Sequence, residues 1–115
     1  MGAWGYGIFD DDTASDVRDN FEEYIEDGLS IADATERILE EYQEEIEDEV
    51  DGATIYLALA SLQMEHGELQ KNIKEVALNI IENGKGLEVW EELGGDELEN
   101  RKNVLNQLKL KLQKY

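Results

Sequence analysis

Residues 53–64 read Ala53-Thr54-Ile55-Tyr56-Leu57-Ala58-Leu59-Ala60-Ser61-Leu62-Gln63-Met64, and they fall in the longest uncharged stretch of a chain in which 34% of residues are charged. Wound as an α-helix, this segment carries apolar groups nearly all round, the pattern of a helix buried on every side. It therefore reads as the central element of an all-α fold. Gly67 closes it, and Asp51-Gly52 ahead of it reads as a turn.

Working outward, the flanking segments carry apolar residues on one side only. Towards the N-terminus, Val17, Phe21, Tyr24 and Ile25 fall at helical spacing after Thr13, which reads as an N-cap with Asp16 three residues on, and Gly28 ends that helix. Ser30, with Asp33 behind it, opens a second helix whose stripe runs through Ile31, Ala34, Ile38, Leu39, Tyr42 and Ile46. Towards the C-terminus, a helix from about Leu69 to Glu82 turns Ile73, Val76, Ala77, Ile80 and Ile81 inward, and Asn83-Gly84 stops it. Leu87, Trp90 and Leu93 fit a short fifth helix ending at Gly94-Gly95. Asp96 and Glu99 form an acidic capping pattern before a last helix with Leu98, Leu105, Leu108 and Leu112 inward. Proline is absent, so glycines and caps supply the punctuation.

The expected architecture is an all-α, compact bundle of five or six short helices. A chain of 115 residues has room for one hydrophobic core, so residues 1–115 read as a single domain. Residues 13–115 form the bundle. Residues 1–12 read as an extended arm, in which Trp4, Tyr6 and Ile8 alternate with Gly5 and Gly7. Trp4, Tyr6, Phe9 and Trp90 are expected in the core, where large rings supply area that a small domain lacks, rather than in an aromatic ligand cage.

Charge is the second strong signal. The formal net charge is −19, and it is segregated: residues 1–68 hold 21 acidic side chains against Arg18 and Arg37, whereas residues 69–115 hold eight of each sign. Such a field repels nucleic acid and anionic membranes and attracts basic proteins. Glu36, Glu40, Glu44 and Glu47 share a helical face by their spacing, opposite the apolar stripe, and are the candidate partner-binding residues. Lys109, Lys111 and Lys114 are too few to make a nucleic-acid site and suit the negative end of the last helix. No apolar run approaches the roughly 18 residues of a membrane span, no secretion signal opens the chain, and cysteine is absent. A cytoplasmic protein is the expectation.

No catalytic residue, cofactor site or metal site is assigned from the sequence. Glu23-x-x-Glu26 and Glu45-x-x-Asp48 imitate the paired carboxylates with which all-α nucleotide pyrophosphohydrolases hold Mg²⁺. Residues 22–51, however, hold 14 acids in 30 positions, so chance alone supplies that spacing. Asp10-Asp11-Asp12 lacks the alternation and later glutamate of a calcium loop. The single histidine, His66, has no partner for metal or nucleophile chemistry and sits beside Gly67, where a helix-dipole contact explains it.

The opening Met1-Gly-Ala-Trp4-Gly-Tyr-Gly-Ile-Phe9-Asp-Asp-Asp12 resembles the start of an uncharacterised bacterial family that carries a domain of unknown function. Its members begin Met-Gly-(Ala/Thr)-Trp-Gly-x-Gly-x-Phe-(Asp/Glu)-(Asp/Asn)-Asp and continue into an acidic helix. Tyr56 to Ala60 and Leu87 to Glu92 resemble later stretches of the same family. The resemblance implies a helical fold and a bacterial or phage origin. It brings no activity and no catalytic residue, and longer relatives continue into a second domain, so this chain could be part of a longer protein.

Together these observations favour a non-enzymatic acidic protein of the immunity, antitoxin or phage anti-defence type that binds and inhibits a basic protein partner. The alternatives are a metal-dependent nucleotide pyrophosphohydrolase and a helical accessory domain of a longer bacterial protein.

Overall fold

Among the described residues, the apolar stripes pack around the uncharged helix. The computed structural model describes Phe9, residues 12–85, Leu87, Glu91, Glu92 and residues 95–115. Six helices run through them: α1 (Asp12–Glu26), α2 (Ile31–Glu41), α3 (Gln43–Ile46), α4 (Glu49–Glu65), α5 (Lys71–Asn83) and α6 (Gly95–Lys114). No strand occurs among the described residues. The radius of gyration is 13.6 Å, against about 13 Å for a compact chain of this length.

Helix α4 is the hub. It packs most extensively along α1, then against α5 and α3, while α2 leans on α1 and α6 on α5. Ile55, Leu57, Ala58, Leu59, Ala60 and Leu62 are all buried, so nearly every side of α4 is covered. Val17 and Phe21 from α1, Ile38 from α2, Ile73 and Ala77 from α5 and Leu112 from α6 close around it. The stripes read from the sequence thus meet in one core.

Three helices end alike. At α1, Gly28 N–H donates to the Ile25 carbonyl (3.0 Å) and Leu29 N–H to that of Tyr24 (3.0 Å), a Schellman motif. Its glycine takes φ +103°, a left-handed backbone that an L side chain rarely adopts. Gly67 and Gly84 repeat the pattern after α4 and α5.

The structure corrects the sequence reading at several joints. Asp51-Gly52 is not a turn: α4 begins at Glu49, and the Asp48 carboxylate caps it by accepting from Val50 N–H (2.8 Å) and Asp51 N–H (3.1 Å). Gly52 is buried in the first turns because a Cβ there would lie 2.6 Å from the Ile46 carbonyl oxygen. The glycine serves close approach of α3 to α4. The second helix, expected to open at Ser30 and carry its stripe unbroken to Ile46, is interrupted at Tyr42, whose φ −103° and ψ 21° separate α2 from α3. Thr13 and Asp96 each lie inside a first turn rather than ahead of it, since α1 starts at Asp12 and α6 at Gly95. Helix α5 starts at Lys71, after Gln70, so Leu69 precedes it.

Ser30 caps α2 as expected, accepting from Asp33 N–H at 3.1 Å. Phe9 packs against the edge of the core. The rest of the arm, with Trp4 and Tyr6, lies outside the described residues, as does most of the expected fifth helix with Trp90. Of that helix, Glu91 N–H donates to the Leu87 carbonyl at 2.9 Å.

A buried polar junction was not foreseen. Gln63 is fully buried on α4, yet its amide donates to Thr35 Oγ1 on α2 (2.8 Å) and to Gln70 Oε1 (2.8 Å), while its Oε1 accepts from Gln70 N–H (2.8 Å). Thr35 in turn donates to the Ile31 carbonyl at 2.8 Å. One side chain thereby ties the C-terminal end of α4 to the start of α2 and caps the entry of α5, and no buried polar side-chain atom among the described residues lacks a partner.

Candidate protein-interaction surface

The acidic surface grows from the way α2 and α3 are held. Ala34, Thr35 and Ile38 turn into the core, which leaves Glu36 and Glu40 exposed on the other side of α2. Glu44 lies in α3 and Glu47 is its C-cap residue, both exposed. The four carboxylates expected on one continuous helical face are therefore two pairs on two short helices, divided by the break at Tyr42. None of the four has an ion-pair partner among the described residues.

Neither arginine of this half neutralises them. Arg18 on α1 bonds Glu65 on α4 at 3.0 Å, approaches Glu22 at 3.6 Å and lies over the Phe9 ring, 4.6 Å from its centroid. Arg37 lies over the Tyr24 ring at 5.4 Å. Both cations are used between elements of the scaffold.

Two tyrosines that the sequence reading placed only in apolar stripes turn out to position this surface. Tyr24 O–H donates to Glu41 Oε2 at 2.5 Å, joining α1 to the end of α2. Because that carboxylate accepts the phenolic proton, and because burial and nearby negative charge disfavour the phenolate, the Tyr24 pKa is pushed up to about 12. Tyr42 receives a hydrogen bond from Asn20 Nδ2 at 2.9 Å, which fixes the break between α2 and α3 against α1. Its pKa is raised by burial first, with the carboxylates of Asp16, Glu41 and Glu45 adding to the shift and the Asn20 bond opposing it.

Glu23, Glu26, Glu45 and Asp48 take other places. Glu23 and Glu26 are exposed on α1, Glu45 is half-buried on α3, and Asp48 spends its carboxylate capping α4. No three His, Asp or Glu side chains converge on a point that could hold a metal among the described residues. Asp12 is exposed in the first turn of α1, while Asp10 and Asp11 lie outside the described residues. His66 is the C-cap residue of α4, with its ring tilted against Phe21 at a centroid distance of 5.5 Å. No helix is long and apolar enough to cross a membrane among the described residues.

No curated protein and no solved structure matches this chain. A family model does, over residues 2–92, which take in the four candidate glutamates and every helix except α6. The chain belongs to the family described as a domain of unknown function, DUF4259.

Proposed function

We propose that this protein is a non-enzymatic acidic interaction module of the immunity, antitoxin or phage anti-defence type, which inhibits a basic protein by covering its cationic surface. The observation that carries the reading is the set of exposed carboxylates on α2 and α3 that have no ion pair among the described residues, in a half of the molecule whose two arginines are engaged elsewhere. Unpaired surface charge of one sign contributes little to folding, and neighbouring like charges cost a few tenths of a kcal/mol per pair. Its physical use is to accelerate encounter with an oppositely charged surface and to reject anionic ones. Glu36, Glu40, Glu44 and Glu47 are the contact residues, and a nucleic-acid-binding groove is the kind of basic surface they suit. Bacterial or phage origin and a cytoplasmic setting belong to the same reading.

The test is affinity capture from a bacterial lysate at low salt. The tagged protein is compared with a variant carrying Glu36→Lys, Glu40→Lys, Glu44→Lys and Glu47→Lys. A basic protein retained by the parent, lost by the variant and released at high salt supports the reading. Retention of the same partner by both proteins overturns the assignment of residues. Stoichiometric Mg²⁺ binding together with hydrolysis of a nucleoside triphosphate overturns the non-enzymatic reading itself.

A further inference from the structure

On the side of α4 that faces α6, the core is not closed among the described residues. A groove of about 520 Å³ runs there, with Phe9, Met64, Val104 and Leu108 in its lining and Lys111 and Lys114 alongside them. Its volume falls within the range of small-molecule sites, roughly 300–1,000 Å³. Tyr115 also lines it, and its O–H donates to the Met64 carbonyl at 3.2 Å, pinning the end of α6 to the end of α4.

The charges around the groove are unequal in a telling way. Glu65, the acid in the lining, is bonded to Arg18 at 3.0 Å. Lys111 and Lys114 have no carboxylate within ion-pair distance among the described residues, although Lys109, one residue before Lys111, reaches Glu82 at 3.7 Å. Lys71, Lys74, Lys85 and Lys102 likewise have no ion pair among the described residues, so what sets Lys111 and Lys114 apart is their place in the lining of a groove whose acid is already paired. Helix-dipole compensation explains lysines at the end of α6, but not their place beside an open apolar groove. An occupant that satisfies both features has an apolar body and one anionic end.

We infer that the groove between α4 and α6 binds a small amphipathic carboxylate, with its hydrocarbon part over Met64, Val104 and Leu108 and its carboxylate at Lys111 and Lys114. This site is separate from the acidic surface of α2 and α3. Apolar contact supplies most of the affinity, and the lysines select the anionic headgroup.

Decanoate below its micellar concentration is the probe, titrated into isotope-labelled protein and followed by amide NMR. Saturable one-to-one binding is expected, with shifts clustered at Ser61, Met64, Val104, Leu108, Lys111 and Tyr115. Lys111→Glu with Lys114→Glu should weaken it about tenfold, whereas Lys71→Glu with Lys74→Glu, on α5, should not. Val104→Trp, which fills the groove, should abolish binding, and Ser61→Met does the same work if the tryptophan variant does not fold. The inference is overturned by shifts that never saturate or that map elsewhere. It is overturned equally if the lysine reversals leave decanoate affinity unchanged, if decyltrimethylammonium binds as tightly, or if decanoate does not bind because a second copy or another part of the chain fills the groove.

Discussion

The two parts of the molecule solve opposite problems. Residues 1–68 carry all of the net charge, yet they also contain the deepest packing: Phe21, Ile38, Ile55, Leu59 and Leu62 are completely enclosed. Residues 69–115 are electrically balanced, yet α6 leaves a groove against α4 and exposes Leu110. The difference teaches that the acidic part is held by burial and not by charge pairing. Burying one Leu, Ile or Phe contributes about 1.5–3 kcal/mol, whereas a like-charge pair on a helix costs a few tenths. A few enclosed side chains outweigh the whole repulsive face, so the outer carboxylates are free to be set by something other than stability.

The largest expected effect breaks the acidic half from inside. Phe21→Ala should destabilise the protein by about 3–5 kcal/mol, the range for emptying a large aromatic core site, measured by urea denaturation. A loss below about 1 kcal/mol would mean that burial does not hold this half together. Gln63→Leu comes next, because it takes from Gln70 N–H its acceptor and from Gln70 Oε1 and Thr35 Oγ1 the amide donor, leaving Thr35 only its bond to the Ile31 carbonyl. It should cost about 1–3 kcal/mol despite adding an apolar group.

Gly52→Ala is a comparable or slightly smaller test. An alanine in an ordinary helix gains about 1 kcal/mol over glycine. Here the new Cβ would meet the Ile46 carbonyl at 2.6 Å, and relieving that contact means moving α3 from α4 at about 1–3 kcal/mol. A net loss of stability is predicted, and a net gain would show that the α3–α4 approach is loose.

These positions also mark how far the sequence could be read. The uncharged run at 53–64, the inward stripes and the three glycine stops were legible because each is a local pattern with one physical cause. The break at Tyr42 was not, since the apolar stripe from Ile31 to Ile46 passes through it with no glycine or proline. Asp51-Gly52 misled because the same dipeptide that favours a turn also suits a helix pressed against a neighbouring carbonyl. Gln63 stood in the uncharged run at 53–64 with nothing to mark its partners, and only folding brings Thr35 and Gln70 to its amide. For the candidate surface, spacing correctly grouped Glu36 with Glu40 on α2, but the placement of Glu44 and Glu47 depended on the unseen break. The tie from Tyr24 to Glu41 joins residues 17 positions apart, and no local signal announces it.

A subtler comparison lies in alkaline solution. Tyr24 and Tyr42 have raised pKa values in the folded protein, Tyr24 about 12 against 10.0. The unfolded chain therefore releases these protons first as pH rises. Their contribution to stability is intact below pH 10 and is lost as pH climbs towards 12. Tyrosinate absorbance should show late-titrating groups in the folded protein, and Tyr24→Phe should remove one of them and flatten the alkaline fall. An alkaline profile unchanged by Tyr24→Phe would contradict the hydrogen bond to Glu41.

The smallest expected effect on folding accompanies the central claim. Reversing Glu36, Glu40, Glu44 and Glu47 to lysine should shift stability by less than about 1 kcal/mol, because all four are exposed and have no ion pair among the described residues. The decisive measurement is the association rate of the captured basic partner with the parent, with this variant, and with a control reversing the exposed Glu75, Glu91, Glu92 and Glu99. It is made at about 0.1 M and 1 M salt, where the screening length falls from roughly 10 Å to 3 Å. The account predicts a slower on-rate for the α2–α3 variant, a much smaller change for the control, and convergence of all three at high salt. Equal slowing by both sets would reduce the effect to net charge, and an unchanged rate for the α2–α3 variant would contradict the assignment of this surface to partner binding.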